Sequence, residues 1–244
     1  MTRRRVISTI VCVLFFFLFW QYGRPIELLL LTKHALKNEP ELWIVPTSLT
    51  DLAVNRSPGA KFSYFGFEFE APWTGVKLRR GGQSIVVLDF QNGGVVSISK
   101  GSSELASMKE EAAKEGRDIK SVFGGRAIES DYEMESTILH LTPRDLRLFS
   151  SRKEMTSNSV LLTLKGIYTG NAKGGIYSFQ TDYVKGFQIG SLSADNLVTV
   201  DAFDQQDRKI QLIIGNEMHS KFKVSQTDVN RVWASLRPDS STAQ

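Results

Sequence analysis

One stretch near the start constrains this chain more than any other: Val6 to Trp20, VISTIVCVLFFFLFW, charge-free and directly behind Arg3, Arg4 and Arg5. A basic cluster followed by an apolar run is the pattern that feeds a chain into a membrane. As a helix the run rises roughly 22 Å, short of the ~30 Å hydrocarbon core, and Gln21 and Tyr22 extend it to the interface. Its length alone suits the apolar region of a cleaved signal. Cleavage, however, needs small residues one and three positions before the cut, and Phe19-Trp20-Gln21-Tyr22-Gly23 does not supply them. Trp20 and Tyr22 instead read as interfacial aromatics that close a span. A buried core helix is the weakest alternative, because the Leu/Phe surface has no polar face. The reading is an uncleaved, single-pass signal-anchor over residues 6–22, behind a cytoplasmic basic segment 1–5. By the positive-inside rule the rest lies outside the cell membrane, periplasmic or extracellular.

Charge and cysteine usage agree with that topology. Six of the 30 basic residues and one of the 26 acidic residues lie in residues 1–38, leaving 24 against 25 and a net charge of −1 beyond them. The excess of positive charge thus belongs to the membrane-proximal end, and the remainder has no footprint for nucleic acid. The single cysteine, Cys12, falls inside the apolar run, so the exported part forms no internal disulfide. Thr9-Ile10-Val11 before it lacks the small residue of a lipoprotein cleavage site.

Residues 23–59 read as a juxtamembrane helix and linker. Pro25 is placed to open a helix carrying Leu28 to Leu31, suited to the membrane interface, to docking on the domain or to a plain stalk. Pro40, Pro46 and Pro58 mark a linker, with a short edge strand expected over 42–45. Asn55-Arg56-Ser57 is a glycosylation sequon, relevant only in a host that glycosylates, and chance explains it better.

Residues 60–238 carry the pattern of an α+β domain. Phe65, Phe67 and Phe69 share one face of an expected strand, with Glu68 and Glu70 on the other. Short strands follow at 76–79, at 84–90 (its apolar run predicting burial on both faces) and at 95–99 after the Asn92-Gly93 turn. Ser102 or Ser103 caps a helix ending at Gly116. Ser130 with Glu133 and Ser151 with Glu154 form two capping-box patterns, and Gly166 is the expected stop of the second helix. Strands at 174–180, 185–190, 197–203 and 209–214 precede a helix capped by Thr227, with Val229, Val232, Trp233 and Leu236 on one stripe. Residues 239–244 are a polar tail. The order predicts an antiparallel sheet flanked by helices behind an N-terminal transmembrane helix, with enough apolar faces for an independent core.

The phrase Tyr64-Phe65-Gly66-Phe67-Glu68-Phe69-Glu70-Ala71-Pro72-Trp73 resembles the opening strand of PsbP-like domains. The C-terminal Phe203-Asp204, the strand at 210–214 and the helix with Val232 and Leu236 are similar to their ending. The resemblance spans about residues 60–238 and implies an extracytoplasmic α/β/α sandwich that binds partners without necessarily catalysing. It carries over no functional residue.

No candidate site stands out from its structural explanation. Glu68 and Glu70 pair on one strand face as catalytic or metal-binding carboxylates do, yet an amphipathic strand explains them. Asp201, Asp204 and Asp207 are an oxygen-rich set that fits no EF-hand, and an acidic turn accounts for them. His34, His140 and His219 lack zinc spacing. The glycine pairs at 81–82, 93–94, 124–125 and 174–175 lack a phosphate-binding context, and no G-x-S-x-G elbow exists. No catalytic residue, cofactor or metal is therefore assigned. The expected partners are the lipid bilayer, through Val6 to Tyr22, and another envelope protein, met through the sheet face opposite the phenylalanines or through residues 130–166. The function expected is a tethered binding or assembly module. The alternative is a membrane-anchored hydrolase-like enzyme, which a deep pocket lined by Glu68, Glu70 or His140 would favour.

Overall fold

The computed structural model describes residues 39–49, 53–147, 151–170, 174–194, 196–217 and 220–239. The apolar run 6–22, Cys12, His34, His219 and the Leu28 to Leu31 segment lie outside the described residues. No helix among the described residues is long and apolar enough to cross a membrane.

The chain enters through a single 3-10 turn, Pro40–Trp43, where an edge strand was expected. Pro40 favours a helical first turn, and the turn buries Leu42 against a later helix. Strand β1 (Thr47–Ser48) follows, then β2 (Ala60–Tyr64) and β3 (Phe67–Ala71). Phe65 does not belong to the phenylalanine strand. With Gly66 it makes the turn of the β2–β3 hairpin, both at positive φ (54° and 81°), as a two-residue primed turn demands. Phe67 and Phe69 are buried, and Glu68 and Glu70 face outward.

Strands β4 (Val76–Arg80), β5 (Ile85–Phe90) and β6 (Gly94–Lys100) form the first meander, with Gly93 alone in the left-handed region at the β5–β6 turn. Strand β5 alternates between buried and half-buried residues instead of burying both faces. Helices α1 (Glu104–Lys114), α2 (Ile119–Val122), α3 (Asp131–His140) and α4 (Arg152–Thr169) come next. Ser103, Asp118, Ser130 and Ser151 cap them through side-chain oxygens that accept backbone N–H groups. Helix α4 runs through Gly166 and stops at Gly170 (φ 47°). Gly166 keeps a helical backbone and lies under Leu42, where a Cβ would make ordinary van der Waals contact.

Strands β7 (Ile176–Gln180), β8 (Val184–Ile189), β9 (Leu197–Asp204) and β10 (Lys209–Asn216) form the second meander. Helix α5 (Gln226–Ala234) and β11 (Arg237–Pro238) close the described chain. The cap of α5 is Ser225, in a capping box with Asp228, not Thr227. Pro238 pairs with Phe67 in β11.

The two meanders join through the antiparallel pair β6–β10 into one eight-stranded sheet, ordered β1-β7-β8-β9-β10-β6-β5-β4. Among the described residues only β1 runs parallel to its neighbour. Strands β2, β3 and β11 leave it for a separate three-stranded sheet. Alternate residues of the large sheet, including Leu88, Ile98, Val200 and Leu212, pack with Phe67, Phe69, Val232 and Trp233 in one core. Trp233 is fully buried and stacks on Phe179 at 4.4 Å between ring centroids. Toward α1, α3 and α4 the sheet presents Phe187, Ile189, Asp201, Phe203 and Lys209, which meet Leu139 and Tyr132 as well as polar helix residues. The domain is α+β.

Candidate functional site

Glu68 and Glu70 line an open cleft of about 420 Å³ beside the small sheet, together with Lys61, Ser63, Tyr183 and Ser235. Both carboxylates are already engaged. Arg237 donates to Glu68 from Nε (3.0 Å) and a terminal nitrogen (2.8 Å). Arg231 donates to Glu70 at 3.0 Å, and Lys61 sits 3.3 Å from its other oxygen. Partial burial pushes the Glu70 carboxyl upward, but Arg231 and Lys61 outweigh it and hold the pKa below the ordinary carboxylate value. A general acid needs the reverse displacement. The arginines have structural work as well: Arg231 also donates to the carbonyls of Asn55 and Ser57 and so fastens the linker.

The three aspartates Asp201, Asp204 and Asp207 go to separate tasks. Asp204 accepts from the backbone of Gln206 and Arg208 and from the Arg208 side chain, closing the β9–β10 turn. Asp207 accepts the N–H groups of Asp131 and Tyr132 and so caps α3 from the sheet. Asp201 alone points under the helices. His140 is exposed at the end of α3, its Nδ1 within 2.7 Å of the Ser136 carbonyl of its own helix. No metal-ligating cluster occurs among the described residues.

The densest ionisable cluster is one the sequence reading missed. Lys209 of β10 reaches Glu135 of α3 at 2.9 Å, Asp201 of β9 at 3.2 Å and Glu104 of α1 at 3.9 Å. Gln211 donates to Asp201 at 2.9 Å, and the Tyr168 hydroxyl of α4 donates to Glu104. Burial first, then the nearby Asp201 carboxylate, pushes Glu135 up to about 8 against the pull of Lys209. Burial opposes the charge on Lys209, yet its three acidic neighbours raise its pKa. The Tyr168 phenol is displaced upward by burial and by Glu104. Glu135 and Asp201 are each 1% exposed, whereas the Glu104 side chain is about half-exposed, so the cluster is buried at its centre between sheet and helices and meets solvent through Glu104. It ties α1, α3 and α4 to the sheet. The signal was available: Tyr132, Glu135 and Leu139 fall at i, i+3 and i+7, which puts Glu135 on an inward stripe.

Lys165 is a second buried cation. Its ammonium donates to the carbonyls of Ile44 (2.6 Å), Leu141 (2.6 Å) and Leu42 (3.3 Å). Burial lowers its pKa to about 8, with Asp145 acting in the other direction. The lysine clamps the entering strap, residues 39–49, onto α4 and the end of α3.

Another concavity has no ion pair across its floor. A groove of about 700 Å³ lies between α2 and α4, lined by Ser121, Val122, Thr156, Ser157 and Val160, with Arg117 and Lys153 at its rim. Ser157 donates to the Ser121 carbonyl and fixes the spacing of the two walls. Val160 is exposed within it. One wall of the groove, Lys153 to Val160 of α4, falls in the 130–166 segment expected to carry recognition, and the other, Arg117 to Val122, precedes it. No protein-family model matches the chain, and no match is found among curated proteins.

Proposed function

We propose that this protein is a non-catalytic binding or assembly module of the cell envelope, held at the membrane by residues 6–22, with the α2–α4 groove as its recognition surface. One observation carries the reading: the α2–α4 groove is open with an uncharged floor, whereas the cleft carboxylates Glu68 and Glu70 are paired with arginines. A shallow, mostly apolar recess with a basic rim suits a protein segment carrying an apolar side chain and an acidic neighbour. Tethering raises the effective concentration of partners confined to the same membrane, so a modest intrinsic affinity suffices. The finer architecture, a PsbP-like α/β/α sandwich behind a single-pass anchor with the domain outside the cell membrane, is part of this proposal.

The test is a photoactivatable side chain at Val160 in cells, compared with one at Lys109 on the exposed side of α1. A discrete adduct from position 160, absent from position 109, is the expected result. No adduct at 160, together with turnover by the purified protein that Glu68→Gln with Glu70→Gln abolishes, would establish the hydrolase-like alternative instead.

A further inference from the structure

The outer surface of α4 departs from what a water-facing helix carries. From Met155 to Gly170 the helix has one charged residue, Lys165, and that ammonium is buried and bonded to three carbonyls. The outward stripe Thr156, Val160, Thr163, Ile167 therefore has no charge at all, where solvated helix faces are ordinarily rich in Lys and Glu. Ile167 is 72% exposed. The strap adds to it: Trp43 is 45% exposed and Val45 42% exposed. The carbonyls that Lys165 grips, on Leu42 and Ile44, flank Trp43, so the exposed tryptophan is fixed beside the same end of α4. Glu39 and Glu41 are the acidic groups on this part of the strap.

We infer that this end of the domain, formed by Trp43, Val45 and Ile167, rests on the bilayer surface. The occupant follows from the chain itself. Residue 39 enters the fold here, and only residues 23–38 separate it from the apolar run, a tether of no more than about 55 Å even fully extended. Tryptophan beside β-branched aliphatics is the chemistry that settles at the headgroup level, where an amphipathic ring finds both phases. The two glutamates favour a zwitterionic over an anionic lipid surface. Seven residues, roughly 10 Å along the helix, separate Ile167 from Val160 in the groove. The inference rests on the anchor reading of residues 6–22 and adds an orientation to it.

The experiment uses the full chain in phosphatidylcholine vesicles containing nitroxide-labelled lipid. An environment-sensitive fluorophore is placed on native Cys12 or, in the Cys12→Ser background, on Ile167→Cys, Val45→Cys or Lys109→Cys. Strong lipid quenching at 12, 45 and 167 with none at 109 is the expected result. Quenching at 12 while 45 and 167 behave like 109 overturns the orientation and leaves the anchor intact. Absence of quenching at 12 removes the anchor reading and this inference with it. Disulfide cross-linking between copies through Ile167→Cys, with no lipid quenching there, would make the face a self-association surface and overturn the inference. Ile167 and Val45 are exposed, so these substitutions leave the core untouched, and an unchanged near-ultraviolet circular dichroism spectrum verifies it.

Discussion

Glu135 and Lys165 set opposite pH responses. The folded chain keeps the Glu135 proton up to about pH 8, whereas an ordinary carboxyl releases it near 4.5. Its contribution to stability is whole below the lower value and drains away as pH rises through the upper one. The folded chain releases the Lys165 proton near 8 instead of 10.5, so its contribution is whole above the upper value and is lost as pH falls through the lower. Together the two groups predict a dip in stability around pH 8. Urea midpoints measured across pH check this. Glu135→Gln should flatten the acid-side slope, and Lys165→Met the alkaline-side slope. Lys165→Met should also cost about 2–4 kcal/mol, because it strands buried carbonyls. A dip that survives both substitutions would show that other groups set it. Trp233, with no exposed surface and a stacked Phe179, should cost ~3–5 kcal/mol on Trp233→Ala. An unchanged denaturation midpoint in that variant would contradict the packing of α5.

Among the elements, periodicity and caps made much of the fold legible. Ser103, Ser130 and Ser151 cap the helices they were expected to cap, and the Val229, Val232, Trp233 and Leu236 stripe is buried as its spacing implies. Most of the failures trace to contacts distant in sequence, and the one at Phe65 to a local two-residue turn. Gly166 continues α4 beneath the strap, and Phe65 turns instead of extending because Gly66 and the β2–β3 register make a hairpin there. The departure of β2 and β3 into a second sheet depends on β11, more than 160 residues later, and nothing in the local pattern marks it. The buried cluster was missed for the same reason: Glu104, Glu135, Asp201 and Lys209 come from four elements and meet only in the fold. The cap of α5 offers a clean check. Ser225 accepts the Asp228 N–H while the Asp228 carboxylate accepts the Ser225 N–H at 2.9 Å. Ser225→Ala should therefore cost about 0.5–2 kcal/mol, and Thr227→Ala clearly less. Equal losses in thermal unfolding would return the capping role to Thr227.

For the whole molecule, a near-neutral domain follows a basic, apolar N-terminus, and the proposed function gives recognition to the domain and address to the leader. The domain has a continuous core built from both meanders, α5 and the small sheet, so it should fold without residues 1–38. In the proposed function the leader adds concentration of partners at the membrane, not structure in the groove. The decisive measurement is the yield of the Val160 photo-adduct in cells for the full chain and for a chain lacking residues 1–22, at matched abundance, beside the circular dichroism spectrum of the purified truncated chain. The account predicts a native spectrum, a clear adduct from the full chain and a large loss of adduct from the truncated one. Equal adduct yields from both chains, with the truncated chain folded, would contradict the claim that this is a tethered binding module.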